Sequence, residues 1–182
     1  PEADKFVDII LSLGYSTKKF PIVAKNVEFE GSEIEILLDE KEFFVSSIPV
    51  KHGIPAVAYC FQEKDRVRVD KNKAKQLGLP PKGRIFKELK EMGAVDFKGK
   101  KIKLEDMSVS EKGKKMVYSG DTKPCKNIVK IANEADLLIH DSTYFEDLSG
   151  DKFYRHPSVD EVISIAQQSK AKELVLTHIS RR

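Results

Sequence analysis

The chain holds four histidines, and three of them sit at or just beyond an apolar run. His52 follows "VSSIPVK", His140 follows "DLLI" and His178 follows "LVLT", while Asp121 follows "MVYSG" in the same way. Taken singly, a strand-end histidine is more often a hydrogen-bonded structural residue than a ligand. Asp121 or Thr122 taken singly would cap a helix beginning near Pro124, a good first-turn residue. Taken together they mean more, because the ends of neighbouring strands converge on one edge of a sheet. Neutral imidazoles with a carboxylate form the donor set that Zn²⁺ selects. Gly120 lets the backbone turn sharply before Asp121, and the two oxygens of a carboxylate can bridge two cations. Two metals about 3.5–4 Å apart suit phosphodiester hydrolysis, where both stabilise the developing charge.

A second pair of motifs supports the same chemistry. "HDST" (His140–Thr143) and "RHPS" (Arg155–Ser158) flank a short loop of Tyr, Phe and acidic residues. A histidine held by a carboxylate has its tautomer fixed and its basicity raised, so it can give a proton to a leaving oxygen. His156 is the candidate acid and Asp141 the residue that orients it. The alternative is that Asp141 and Ser158 are caps or turn residues, and spacing alone does not separate the two.

The elements that must position these residues are legible mainly in the second half. After Lys114 the pattern runs strand "KMVYSG", helix "CKNIVKIANEA", strand "DLLIHD", helix "SVDEVISIAQQSK" and strand "ELVLTHIS". Strands alternating with helices indicate an α/β layered body, with ligands at the carboxyl ends of the strands. Phe6, Ile9, Ile10 and Leu13 fall at helical spacing and predict an amphipathic helix closed by Gly14. Runs at 20–29, 33–38, 43–50 and 54–61 predict a strand meander.

From Gln62 to about Ser110 the composition changes. Between Gln62 and Lys103 there are 14 Lys/Arg against 6 Asp/Glu, an excess of +8, in a chain whose net charge is +3. "DKNKAKQLG" and "RIFKELKEMG" predict short helices closed by glycine around the stiff turn "LPPKG". The segment has too few apolar residues for a core of its own and is expected to project from the body. Its charge attracts a polyanion, or it is a solvated lysine-rich surface; charge leaves both open.

At 182 residues, 40% hydrophobic and 34% charged, the chain is large enough for one sizeable core. No apolar run approaches the roughly 20 residues of a membrane helix. Cys60 and Cys125 lie far apart and outside any CxxC pair, so they are expected as free thiols in a reducing cytoplasm.

Together, "VKHGIPAVAYCFQEKDR", "YSGDTKPCKNIVKIANEADLLIHDSTYF" and "LVLTHISRR" resemble the tRNase Z (ribonuclease Z) family of the metallo-β-lactamase superfamily, in that family's order. The resemblance covers nearly all of the chain. It implies an αββα sandwich with an inserted flexible arm at 62–110, and a zinc-dependent endoribonuclease that removes the 3′ trailer from precursor tRNA. The products would be tRNA with a 3′-hydroxyl and a trailer with a 5′-phosphate. By the resemblance His52 ligates one of two zinc ions, Asp121 bridges them and His178 ligates the other. Asp141 falls where the family's His-Glu-Ala-Thr motif has glutamate, and His156 matches the histidine of its His-Ser-Thr motif, with Pro157 interrupting the pattern. Lys82, Arg84, Lys87 and Lys90 fall at the arm's tip as contacts to tRNA phosphates. A cytoplasmic homodimer is also implied.

Nothing in the chain matches the family's His-x-His-x-Asp-His motif. The expectation is therefore a fold whose N-terminal part lies outside these residues, and a chain inactive alone. The rival expectations are a hydrolase of another phosphodiester or ester in the same superfamily, and a non-catalytic RNA-binding fragment.

Overall fold

A computed structural model describes residues 3–12, 22–145 and 156–180. In chain order the elements are α1 (Ala3–Ser12), β1 (Glu35–Asp39), β2 (Phe43–Val50), β3 (Ala56–Glu63), β4 (Arg66–Val69), α2 (Lys71–Gln76), α3 (Ile85–Met92) and β5 (Ala94–Phe97). There follow β6 (Lys100–Lys103), α4 (Leu104–Met107), β7 (Ser108–Glu111), β8 (Lys115–Tyr118), α5 (Lys126–Ile131), β9 (Leu137–Asp141), α6 (Val159–Ser169) and β10 (Glu173–Thr177). Leu13, Gly14, Arg155 and most of the loop before His156 lie outside the described residues.

The chain divides into two compact units, one of residues 1–39, 44–61 and 115–182, the other of residues 40–43 and 62–114. The first is built on a six-stranded mixed sheet of order β1-β2-β3-β8-β9-β10. β1 and β2 are antiparallel, whereas β8, β9 and β10 are parallel. Such parallel neighbours need crossovers, which α5 and α6 supply. Ile128, Ile131 and Ile165 from these helices pack on Ile48, Ala58, Cys60, Val117 and Leu138 of the sheet. Alternation along the strands turns Tyr59, Met116, Tyr118 and Val175 to the opposite face, where they are exposed. An αββα sandwich has two sheets; among the described residues there is one of this size.

One expectation about this unit needs correction. Residues 22–29 of the expected strand 20–29 form no strand, and the first two positions lie outside the described residues. The run "IVAKNVEF" has β-type composition, but the described residues offer it no ladder. The amphipathic stripe of α1 is real as a pattern, yet Phe6, Ile9 and Ile10 are 52–64% exposed.

The second unit contradicts the expectation that the basic segment lacks a core. Ala74, Leu79, Leu89, Ile102 and Met107 are buried together, with Val69, Ile85, Phe86, Val95, Phe97 and Leu104 packed against them. The ladders β4–β7 and β5–β6, both antiparallel, complete the unit. Asp70 caps α2, its Oδ1 accepting from the backbone N–H of Asn72 (2.8 Å) and Lys73 (3.2 Å). α3 closes at Gly93 with φ +75°, the left-handed cap expected of glycine. The unit's two ends meet: Glu63 N–H donates to the Lys114 carbonyl at 2.8 Å, and Lys114 N–H donates to Glu63 Oε2 at 3.1 Å. Gly113 is required there, because a Cβ would lie 2.1 Å from the Glu63 carbonyl oxygen.

Candidate active site

Parallel register decides where the chemistry sits. Tyr118 pairs with Ile139, and Thr177 with Asp141, so β8, β9 and β10 finish along one edge of the sheet. Asp121 lies just past β8, Asp141 ends β9 and His178 follows β10. Gly120 makes the turn to Asp121 at φ +61°, where a Cβ would approach the Val57 carbonyl oxygen to 3.2 Å. His178 itself adopts φ +58°, a costly conformation for a side-chain-bearing residue and one concentrated at functional sites.

Two further segments are tied to this edge. His52 stands two residues past β2, beside a bridge in which Lys123 N–H donates to the Lys51 carbonyl at 2.6 Å. Thr122 Oγ1 lies 3.1 Å from the same carbonyl. His156 precedes α6, and its segment is held by Tyr144 N–H to Pro157 O (3.2 Å) and Val159 N–H to Tyr144 O (3.0 Å). Ser158 caps α6 in a reciprocal box with Glu161. Asp141 does not act as a cap.

Asp141 is fully buried and accepts three hydrogen bonds. His156 Nδ1 lies 2.6 Å from Oδ2, Thr122 N–H donates to Oδ2 at 3.2 Å, and Thr143 Oγ1 donates to Oδ1 at 2.7 Å. Having given its only hydroxyl proton to Asp141, Thr143 accepts from His178 Nδ1–H, 2.7 Å away. That leaves the lone pair of His178 on Nε2, which faces Asp121 Oδ2 at 3.7 Å. The rings of His52 and His156 have centroids 5.0 Å apart, and those of His156 and His178 are stacked, also at 5.0 Å. All five residues expected from the sequence, His52, Asp121, Asp141, His156 and His178, therefore belong to one cluster.

His140 stands apart from them. It is buried, with Nδ1 2.7 Å from the Asp141 carbonyl, and burial pushes its pKa down against the opposing pull of that carbonyl and of the Asp141 charge. The sequence groups it with the other strand-end histidines, but it ends one residue short of the edge.

The donor set fits a divalent metal. Asp141, His156 and His178 each offer a ligand atom within 4.8 Å of the others, Asp121 faces His178, and His52 Nδ1 is buried with no hydrogen-bond partner. Imidazole and carboxylate together are ligands suited to zinc.

A β-lactamase superfamily domain model matches residues 96–179, which contain β8, β9, β10 and all of the cluster but His52. The chain is 36% identical over 179 residues to ribonuclease Z of Pyrococcus horikoshii, covering 97% of this chain and 56% of that protein. It is 38% identical over 186 residues to ribonuclease Z of Methanothermobacter thermautotrophicus, covering all of this chain and 58% of that one. Over the part it spans, the chain is similar to ribonuclease Z proteins. It spans a little over half the length of these ribonuclease Z relatives. The crystal structure of the metallo-β-lactamase fold protein YhfI from Bacillus subtilis superposes with a TM-score of 0.51 at 18% identity, covering all of this chain and 51% of that one. That likeness shows the fold.

Two residues of the site escaped the sequence reading. Thr143 connects Asp141 to His178, and Thr122 donates its N–H to Asp141 while its hydroxyl anchors the His52 segment. The signal for Thr143 was its position two residues after Asp141, the spacing that returns a strand side chain to the same face.

Proposed function

We propose that the chain belongs to a zinc-dependent endoribonuclease that removes the 3′ trailer from precursor tRNA. The observation that carries this reading is the hydrogen-bonded Asp141–His156 pair at the strand ends, with His156 stacked on His178 and His178 facing Asp121, in a chain similar to ribonuclease Z. His52, Asp121 and His178 would hold the metal. When bound, the metal supplies Lewis-acid stabilisation of the phosphodiester oxygens and lowers the pKa of water. Asp141 holds His156 through Nδ1, so Nε2 is the nitrogen available for proton transfer, and the carboxylate stabilises the imidazolium. Water adds to phosphorus and loses a proton, the bond from phosphorus to the 3′ oxygen breaks, and His156 Nε2 gives that oxygen a proton, the proton lost by water then restoring the imidazolium. The products are tRNA with a 3′-hydroxyl and a trailer with a 5′-phosphate. The family resemblance extends the reading to a cytoplasmic homodimer, and to the basic unit as the part that holds tRNA phosphates through Lys82, Arg84, Lys87 and Lys90.

The test is cleavage of a 3′-extended precursor tRNA by the protein that carries this chain, with the end groups of both products determined. A 5′-hydroxyl on the trailer would sink the proposed bond scission. Replacing residues 64–113 by a short linker should abolish precursor cleavage and leave hydrolysis of a small chromogenic phosphodiester intact. Precursor cleavage that survives the replacement would remove the RNA-holding role of the basic unit.

A further inference from the structure

The cations of the basic unit fall into two groups. On α3, Arg84 lies 3.1 Å from Glu88 and Lys87 lies 3.9 Å from Glu91, so two of the four expected phosphate contacts are already paired within their own helix. On α2, Lys71 and Lys75 stand one turn apart on the same face, both exposed and without an acidic partner among the described residues. They flank a cleft of about 440 Å³ whose other walls include Leu79, Pro80, Pro81 and Phe86. Among the described residues no acidic side chain lines it. The nearest one in sequence, Asp70, is engaged in capping α2.

The cleft is preformed. Leu79 is buried in the unit's core, its N–H bonded to the Ala74 carbonyl at 3.0 Å, and two consecutive prolines stiffen the wall that follows. Phe86 is half-buried, anchored against the core with part of its ring open to the cleft. A volume of this size suits a small planar ligand. An apolar wall carrying an aromatic ring, flanked by two ammonium groups, is the arrangement by which proteins hold single-stranded nucleic acid: the base stacks and the backbone meets the cations.

We propose that this cleft binds one unpaired nucleotide of the RNA substrate, with its base against Phe86 and the Pro80–Pro81 wall and its phosphate between Lys71 and Lys75. The proposal rests on the ribonuclease reading above and adds to it a contact outside the α3 row, one that holds a base as well as a phosphate. Recognition of this kind is tolerant of base identity, because every base offers a π-face.

The test titrates the whole ¹⁵N-labelled chain with a short unstructured oligoribonucleotide and, separately, with a precursor tRNA. The oligonucleotide should shift the amides of residues 71–75, 79 and 82–86. The double variant Lys71→Gln, Lys75→Gln should weaken its binding about tenfold and lower the salt slope by about 1.4, two contacts at roughly 0.7 each. Phe86→Leu keeps an apolar side chain but removes the ring, and should weaken binding about fivefold or more. The two lysines are exposed and lie outside the core, so their variant reports even if Phe86→Leu loosens the unit. Unchanged affinity in the lysine variant, or shifts confined to the exposed face of α3, would overturn the cleft. If precursor tRNA still binds in that case, only the cleft falls; if neither RNA binds, the ribonuclease reading falls with it.

Discussion

Leu138 and Leu89 are both wholly buried, but in cores of different kinds. Leu138 lies in a sheet covered on one face by α5 and α6, while the other face leaves Tyr59, Met116, Tyr118 and Val175 exposed. Leu89 lies in a core assembled from short elements within one stretch of chain, with Ala74, Leu79, Ile102 and Met107 as its neighbours. The difference teaches where each task can be placed. Parallel strands in register fix several strand ends along one edge, and the candidate chemistry occupies that edge. The basic unit closes on itself and leaves its charged side chains outward, a suitable support for holding a polyanion.

The largest expected effects test the sheet edge. Asp121→Ala abolishes precursor tRNA cleavage, and His156→Ala lowers kcat about 10²–10⁴-fold, both without loss of fold by circular dichroism. Normal turnover in either variant breaks the assignment of chemistry to that edge. The separateness of the cores comes next. Leu89→Ala and Leu138→Ala each cost about 2–5 kcal/mol, but in different transitions of a denaturant titration followed by residue-resolved hydrogen exchange. A single shared transition would merge the two regions.

Smaller effects sharpen the contrast. Lys90→Gln reduces RNA affinity a few-fold and the salt slope by about 0.7–0.9, measured by fluorescence anisotropy across salt. Arg84→Gln has less effect, because Arg84 must first leave Glu88. Equal losses would show that the α3 ion pair does not compete with RNA. The smallest effect belongs to the sheet core. Burial pushes the Cys60 thiol above its ordinary value of 9.0, against the opposing influence of Lys115 and a hydrogen bond with Ser46. Its contribution to stability is fully present below pH 9.0 and is lost as pH rises through the raised value. Cys60→Ala should flatten the alkaline fall in melting temperature.

What the sequence made legible was the region where pattern and geometry agree. The alternation from Lys115 to Thr177 carries both periods clearly, so β8, α5, β9, α6 and β10 were found, and with them the strand ends that bear Asp121, Asp141 and His178. The core around Leu89 was missed because its members lie scattered over 34 positions among lysines, one or two per element, and no short window shows them. Residues 22–29 misled in the opposite direction, since strand-like composition does not supply a partner strand. Thr143 went unassigned because its role depends on the direction of one hydroxyl proton, which only the placement of Asp141 and His178 decides.

The junction of Glu63 with Lys114 bears on how the sheet assembles. β3 and β8 are neighbours in the sheet, yet the chain between them is long, since the bonded pair is 51 residues apart in sequence. Closing a floppy loop of that length costs about 3.5 kcal/mol. A segment that collapses first around Leu89 brings its own ends together and largely removes that cost. The two strands then meet as the arms of a short hairpin would, so a pairing remote in sequence becomes kinetically local.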